Sequence, residues 1–280
     1  MGDRSKIEWT EATWNPIRGS RGDWTCVKVS SGCANCYAER INVRRGGPRY
    51  IKGNDEPRLD REILQQPLHW RRKRMIFVCS MTDLFLESVP DEWIFDIFKI
   101  MAHCPNHVFQ VLTKRAERMA DLVPNIRSAD YCRSHLVDRL HHVWLGVSVE
   151  DQKRANERIP HLVRTPASVR FLSCEPLLEP IDLGAAHPCG YYCDPGADGG
   201  GYHDHPFLTP GIASPVNWVI VGGESGPGHR PMKTEWVQNI VKQCKNAGVA
   251  CFVKQLGGWP NKHGDPEGWP EDLRVREWPE

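Results

Sequence analysis

The 280-residue chain has no apolar run near the roughly 18 residues that a membrane span needs, the run around Met75–Cys79 being among its longest. Its start, Met1-Gly2-Asp3-Arg4-Ser5-Lys6, leads into no export-signal core. Charge of one sign is not in excess either: 36 Lys and Arg stand against 35 Asp and Glu, so the totals show no basic nucleic-acid footprint. No internal repeat is visible. These absences point to a soluble, cytoplasmic protein with no membrane partner. Hydrophobic residues at 40% and charged residues at 25% exclude a disordered chain and supply a core.

Cysteine, by contrast, is abundant. Eleven cysteines in a chain with no export signal argue against a disulfide framework. Cys79, Cys104, Cys132, Cys174, Cys244 and Cys251 are scattered in mostly apolar context and read as small buried hydrophobes. Cys26, Cys33 and Cys36 crowd into eleven residues, and Cys189 and Cys193 form a second local group.

From residue 74 onward, buried strands alternate with amphipathic helices. Strands are expected at 74–80, 107–113, 142–149, 168–173, 217–223 and 249–255, with one more near 13–16. Helices are expected at 90–103, 114–122, 152–159 and 234–247. This is the pattern of a parallel sheet with right-handed crossovers. Each strand ends in polar or glycine residues: Ser80-Met81-Thr82-Asp83, Thr113-Lys114-Arg115, Ser148-Val149-Glu150, Ser173-Cys174-Glu175, Gly222-Gly223-Glu224 and Lys254-Gln255. Convergence of all six on one axis favours a partial or full (β/α) barrel of about six or seven parallel strands over an open doubly wound sheet. Residues 1–256 form this expected barrel. A loop insertion at 187–215 breaks the rhythm, and 257–280 is an irregular strap carrying Trp259, Trp269 and Trp278.

Cys26-x6-Cys33-x2-Cys36 is the most informative motif. Three soft thiolates suit zinc or an iron–sulfur cluster. A structural zinc wants four ligands, and no fourth stands nearby. A cubane on three cysteines leaves one iron open to an outside ligand.

Trp14-Asn15-Pro16, Cys26, Ser31-Gly32-Cys33 and Cys36-Tyr37-Ala38-Glu39 together resemble a phage-associated, three-cysteine-motif family of radical S-adenosylmethionine-like proteins, filed as a domain of unknown function. Thr82-Asp83-Leu84-Phe85, Gly146-Val147-Ser148-Val149-Glu150, Ser173-Cys174-Glu175-Pro176 and the segment Trp218–Gly226 extend the likeness over nearly the whole chain. The resemblance implies a partial barrel of the radical type, a [4Fe–4S] cluster on Cys26, Cys33 and Cys36, and S-adenosylmethionine. It implies an electron donor such as a flavodoxin or ferredoxin, and the host cytoplasm if the chain is phage-encoded. Its phage setting makes a nucleobase or nucleotide the natural substrate. The spacing departs from the x3-x2 of most radical enzymes, and the Gly-Gly-Glu element, which often contacts the methionine amine, lies late in the chain. Expected cofactor contacts are Tyr37, Thr82, Asp83, Lys114, Ser148, Glu150, Glu175, Gly222, Gly223, Glu224 and Lys254. Cys174, at a strand end, is a candidate hydrogen donor to a substrate radical.

In the insertion, Cys189, Cys193, His203 and His205 are candidate zinc ligands, with His187 as substitute. A rival reading of the whole chain is a zinc-stapled nucleic-acid-binding module without catalysis, which would set Arg71–Arg74 on phosphate.

Overall fold

The computed structural model describes residues 5–51, 53, 56–128, 140–184, 186–192, 202–206 and 214–280, with the backbone alone at 127–128, 186–192 and 202–206. The short apolar runs become the strands β1 (Ala12–Trp14), β4 (Met75–Val78), β5 (Val108–Thr113), β6 (Val143–Ser148), β7 (Arg170–Cys174), β10 (Trp218–Gly222) and β11 (Ala250–Gln255). All seven pair in parallel, in the order β1-β4-β5-β6-β7-β10-β11. Spatial order follows chain order without reversal. A doubly wound sheet reverses at a switch point; this sheet instead curls into a half-barrel, with β1 and β11 as its two edges. The expected partial barrel is therefore the fold.

Side chains alternate across each strand, so the sheet has two unlike faces. Ile76, Val78, Phe109, Val111, Leu145, Val147, Leu172, Val219, Val221 and Val253 belong to the main core, packed with helix residues such as Ile97, Met119, Ile159 and Ile240. These come from α3 (Asp91–Ala102), α4 (Ala116–Ser128), α5 (Gln152–Arg164) and α6 (Thr234–Ala247). The other face carries a second cluster, Trp9, Phe77, Phe171, Trp218, Ile220 and Phe252. Trp9 precedes β1 and lies against the Phe77 ring with centroids 4.8 Å apart, closing the concave floor.

Three features went unread in the sequence. Ile17–Gly19 (β2) and Pro57–Leu59 (β3) form a small antiparallel ladder, each too short to show periodicity. Within the insertion, Ala186–Tyr192 (β8) and Tyr202–Pro206 (β9) also pair antiparallel. A ribbon paired only to itself needs no apolar alternation, so the signal was missing. α4 and α5 run through Pro124 and Pro160 instead of stopping before them. A proline removes one backbone bond, but Leu162, beyond Pro160, is fully buried and keeps the last turn of α5 docked. Two more helices, α1 (Tyr37–Arg44) and α2 (Arg61–Gln65), lie between β1 and β4; α1 forms where the stretch 33–40 reads as a helix start.

The C-terminal strap protects an edge. Val253 N–H donates to Val275 O at 2.9 Å and Glu277 N–H to Cys251 O at 2.8 Å, so β11 is not left unpaired. Trp269 is buried in the strap and Trp278 packs on Phe252, whereas Trp259 is exposed.

Gly146 makes room on the concave floor: a Cβ there would lie 2.6 Å from the Phe171 ring. Gly146→Ala is expected to destabilise by about 1–3 kcal/mol through overpacking. Adding Phe171→Leu should recover part of that loss, a non-additivity readable by urea denaturation; strict additivity would show that the ring does not set the limit.

Burial lowers the pKa of His107 and His142. His142 Nε2 lies 2.8 Å from Met101 O and its buried Nδ1 has no partner, so a second proton would put an unsolvated charge in the core. With folded values below the ordinary one, the unfolded chain takes up protons first. Stability is then complete above about pH 6.5 and falls below it. Urea midpoints measured between about pH 7 and 5 should drop less for His107→Gln/His142→Gln than for the wild type.

Candidate active site at the strand ends

The C-terminal strand ends open on a cavity of about 710 Å³, within the size range of small-molecule sites. Ser80, Thr82 and Asp83 follow β4, Lys114 follows β5, and Ser148 ends β6. Glu175, Gly223 and Lys254 come from the ends of β7, β10 and β11, and all of these line it. Tyr37 and Glu224 also line it, so most of the expected cofactor contacts converge. Gly222 and Glu150, expected with them, are not among the lining residues.

Cys26, Cys33 and Cys36 all line this cavity, each half-buried. Cys36 caps α1, whose first residue, Tyr37, donates its hydroxyl to Ser80 O at 2.6 Å. The loop around the thiols has little apolar content of its own and is fastened to the barrel by charge. Glu150, fully buried, pairs with Arg158 at 2.8 Å and accepts from Gly32 N–H at 3.3 Å. Burial alone would raise the Glu150 pKa, but Lys114 and Arg158 more than offset it and hold it low. Ser31 donates to Asp151 at 3.1 Å. On the far side of Cys33, Asn35 donates to Glu224 at 2.9 Å, and Arg230 grips Glu224 through Nε at 3.0 Å and Nη2 at 2.6 Å. Arg115 fastens the third point: it donates to Val27 O at 3.0 Å, beside Cys26, while pairing with Asp83 at 3.1 Å.

Burial and the Asp83 carboxylate push the Cys26 thiol up to about 12, and burial also raises Cys36. Both therefore keep their protons at neutral pH unless a metal displaces them. Among the described residues, no group of three or more His, Cys, Asp or Glu side chains is placed to hold a metal ion as it stands. Cys79, the fourth thiol on the wall, is engaged by the Ile17 backbone.

Most carboxylates on the wall are spent. Asp83 accepts from Thr113 Oγ1 at 2.7 Å, Lys114 N–H at 2.9 Å and Arg115. Glu175 pairs with Lys254 at 2.6 Å, and Glu224 is saturated by Asn35 and Arg230. Donors are left over: Trp24 Nε1, Arg40 Nη1 and Thr82 Oγ1 are buried without a partner, and Lys114 Nζ has none among the described residues.

Cys174 is placed elsewhere. It is fully buried in the layer between sheet and helices, its thiol raised by burial beside Cys251, and it does not line the cavity. The side chains of Cys189, Cys193, His203 and His205 lie outside the described residues. Sequence reasoning missed Asn35, Arg115, Arg158 and Arg230. Asn35 and Arg115 sat inside quoted motifs, but Arg158 and Arg230 carry no signal beyond their distance from Glu150 and Glu224.

Fold and site together define an open (β/α) barrel with a thiol-rimmed mouth. Residues 4–276 match the family described as "Protein of unknown function (DUF5131)", and the chain belongs to that family. Comparison with curated proteins and with solved structures returns no match.

Removing Glu150 strands the buried Arg158. Glu150→Ala is expected to destabilise the chain by about 3–5 kcal/mol. Glu224→Ala frees Asn35 with a smaller stability loss, and Cys33 and Cys36 should then react several-fold faster with a thiol reagent. Unchanged thiol reactivity would mean that these carboxylates do not position the loop.

Proposed function

We propose that the chain is a radical S-adenosylmethionine enzyme, with a [4Fe–4S] cluster on Cys26, Cys33 and Cys36 and a nucleobase- or nucleotide-containing substrate. The observation that carries this reading is three thiols on the wall of one strand-end cavity, with the fourth thiol, Cys79, engaged by the Ile17 backbone and Asp83 by Arg115. A mononuclear structural zinc takes four ligands converging on one point. A cubane takes each thiolate on a different iron, so its ligands stand wider apart. Lys114 and Arg115 supply positive charge beside the thiols: Lys114 favours the Cys36 thiolate and Arg115 the Cys26 thiolate.

When bound, cluster and cofactor supply reducing power and a 5′-deoxyadenosyl radical that abstracts hydrogen from the substrate. The protein's own part is positional. Lys254 and Glu175, opposite charges 2.6 Å apart on the wall, would take the carboxylate and ammonium of the methionine moiety. Thr82 and Ser148 offer hydroxyls to ribose or carboxylate oxygens. Glu150, Glu224 and Asp83 hold the cysteine loop and leave the ligand contacts to others. The aromatic floor of Trp9 and Phe77 keeps water out from below. A flavodoxin- or ferredoxin-type donor would supply the electron. Cys174 has no part in this reading, and a zinc site in the insertion is a separate question that metal analysis of Cys189→Ser/Cys193→Ser answers.

Protein purified without oxygen is expected to be brown and to hold iron and acid-labile sulfide in the equal amounts that a cubane requires. Cys26→Ala, Cys33→Ala and Cys36→Ala should each lose both. A colourless protein whose only metal is zinc, lost in the same variants, would replace this reading with the zinc-stapled module.

A further inference from the structure

Carboxylate and amine recognition by Lys254 and Glu175 leaves one lining element unexplained. That element is α1. Tyr37, Ile41 and Arg45 follow one another at four-residue spacing, and with Arg40 they line the cavity. The Arg40 guanidinium is built in. Nη2 donates to Ser225 O at 2.8 Å, and Nη1 is buried without a partner. Gly226, in the left-handed region at φ 98°, leaves the room: a Cβ there would overlap Arg40 Nη1. Arg45 lies over the Trp24 ring at 5.5 Å, and the buried Trp24 Nε1 also lacks a partner. Neither arginine forms an ion pair with a carboxylate among the described residues, since Glu224 is taken by Arg230 and Glu39 by Lys28.

A buried donor without an acceptor is unfavourable, and several on one wall call for a ligand rich in anionic oxygen. A planar guanidinium fork matches phosphate. Beside it, Tyr37, a residue 43% exposed, lines the cavity with its hydroxyl anchored on Ser80, which fixes the ring as a surface an aromatic ring can stack on. Resting on the proposed enzyme and assigning its substrate, we propose that the substrate is a nucleoside phosphate, its phosphate received by Arg40 and Arg45 and its ring set against Tyr37.

Binding of thymidine, thymidine 5′-monophosphate and inorganic phosphate to the full chain, measured by calorimetry without oxygen, tests this. The monophosphate is expected to bind at least tenfold tighter than the nucleoside. Arg40→Gln and, separately, the exposed Arg45→Gln should each erase most of that difference while leaving thymidine affinity and iron content unchanged. Lys254→Met should weaken S-adenosylmethionine binding and spare the monophosphate. A short single-stranded oligonucleotide that competes better than the monophosphate assigns the same contacts to a strand end; weaker competition assigns them to the free nucleotide. No gain from the phosphate, or a gain that survives both arginine variants, overturns the inference. A chain without iron that still prefers the monophosphate overturns the cluster and leaves this inference standing.

Discussion

Everything at the mouth of this half-barrel depends on buried carboxylates whose charge is spent on holding a loop. Glu150 answers Arg158 and Gly32, and Glu224 answers Arg230 and Asn35. The loop from Cys26 to Cys36 packs at its two ends, Val27 on the main core and Cys26 and Cys36 on the Trp24, Tyr50 and Met81 cluster, but packing alone cannot fix the stretch around Cys33. Hydrogen bonds to charged groups in a poorly solvated setting can, because their alternative is an unpaired buried charge. The two carboxylates rise from the ends of β6 and β10 and bracket Cys33 from either side. Thiol geometry is thus inherited from the sheet, the most rigid element available.

The sheet's alternation explains how one surface serves as both floor and site. The concave face reads aromatic at the N-terminal side, with Phe77, Phe171, Trp218 and Phe252, and polar at the strand ends, with Lys114, Ser148, Glu175 and Lys254. The same period of two that stacks the rings carries on to the polar tips. Cys174 falls out of the site by this rule: it is one residue after the concave Ser173 and therefore faces the helices. A half-barrel must also manage two edges. The strap hydrogen-bonds along β11, while Ser5–Trp9 passes the β1 side, where Lys262 pairs with Glu8 at the cavity's margin.

The strands and the strand-end ring were legible in the sequence because burial imposes a short apolar run and the barrel axis imposes a polar end. The thiol cluster was legible because its spacing is compact. Side-chain partners that only the fold brings together were not. Glu150 reads as a ligand contact because its position at a strand end is all that a sequence reveals; the fold adds Arg158, nearly two turns into α5, as its partner. Glu224 gains Arg230 and Asn35 in the same way. The helices crossing Pro124 and Pro160 were cut short because local chemistry outweighed a tertiary contact, the burial of Leu162, that no local pattern announces.

The balance of donors and acceptors gives the site its direction. Asp83, Glu175 and Glu224 are each bound to cations or N–H groups, so the wall offers few open acceptors beyond Glu8 Oε2. Open donors are spread around the thiols: Trp24 Nε1, Thr82 Oγ1, Lys114 Nζ and Arg40 Nη1. A site shaped for a cation or for an apolar ligand alone would show the reverse, free carboxylates or no free polar atoms. In the proposed enzyme, three thiolates on a cluster would add negative charge at the centre of this ring, and Lys114 lies close enough to favour the Cys36 thiolate. That centre accounts for the donors nearest the thiols. It does not account for Arg40, whose guanidinium is tethered to Ser225 and cradled by Gly226 on the outer wall. A fixed fork of that kind is wasted on solvent and suits a second anion, so in the proposed enzyme the charge pattern would set the place of the cluster apart from the place where a substrate is held.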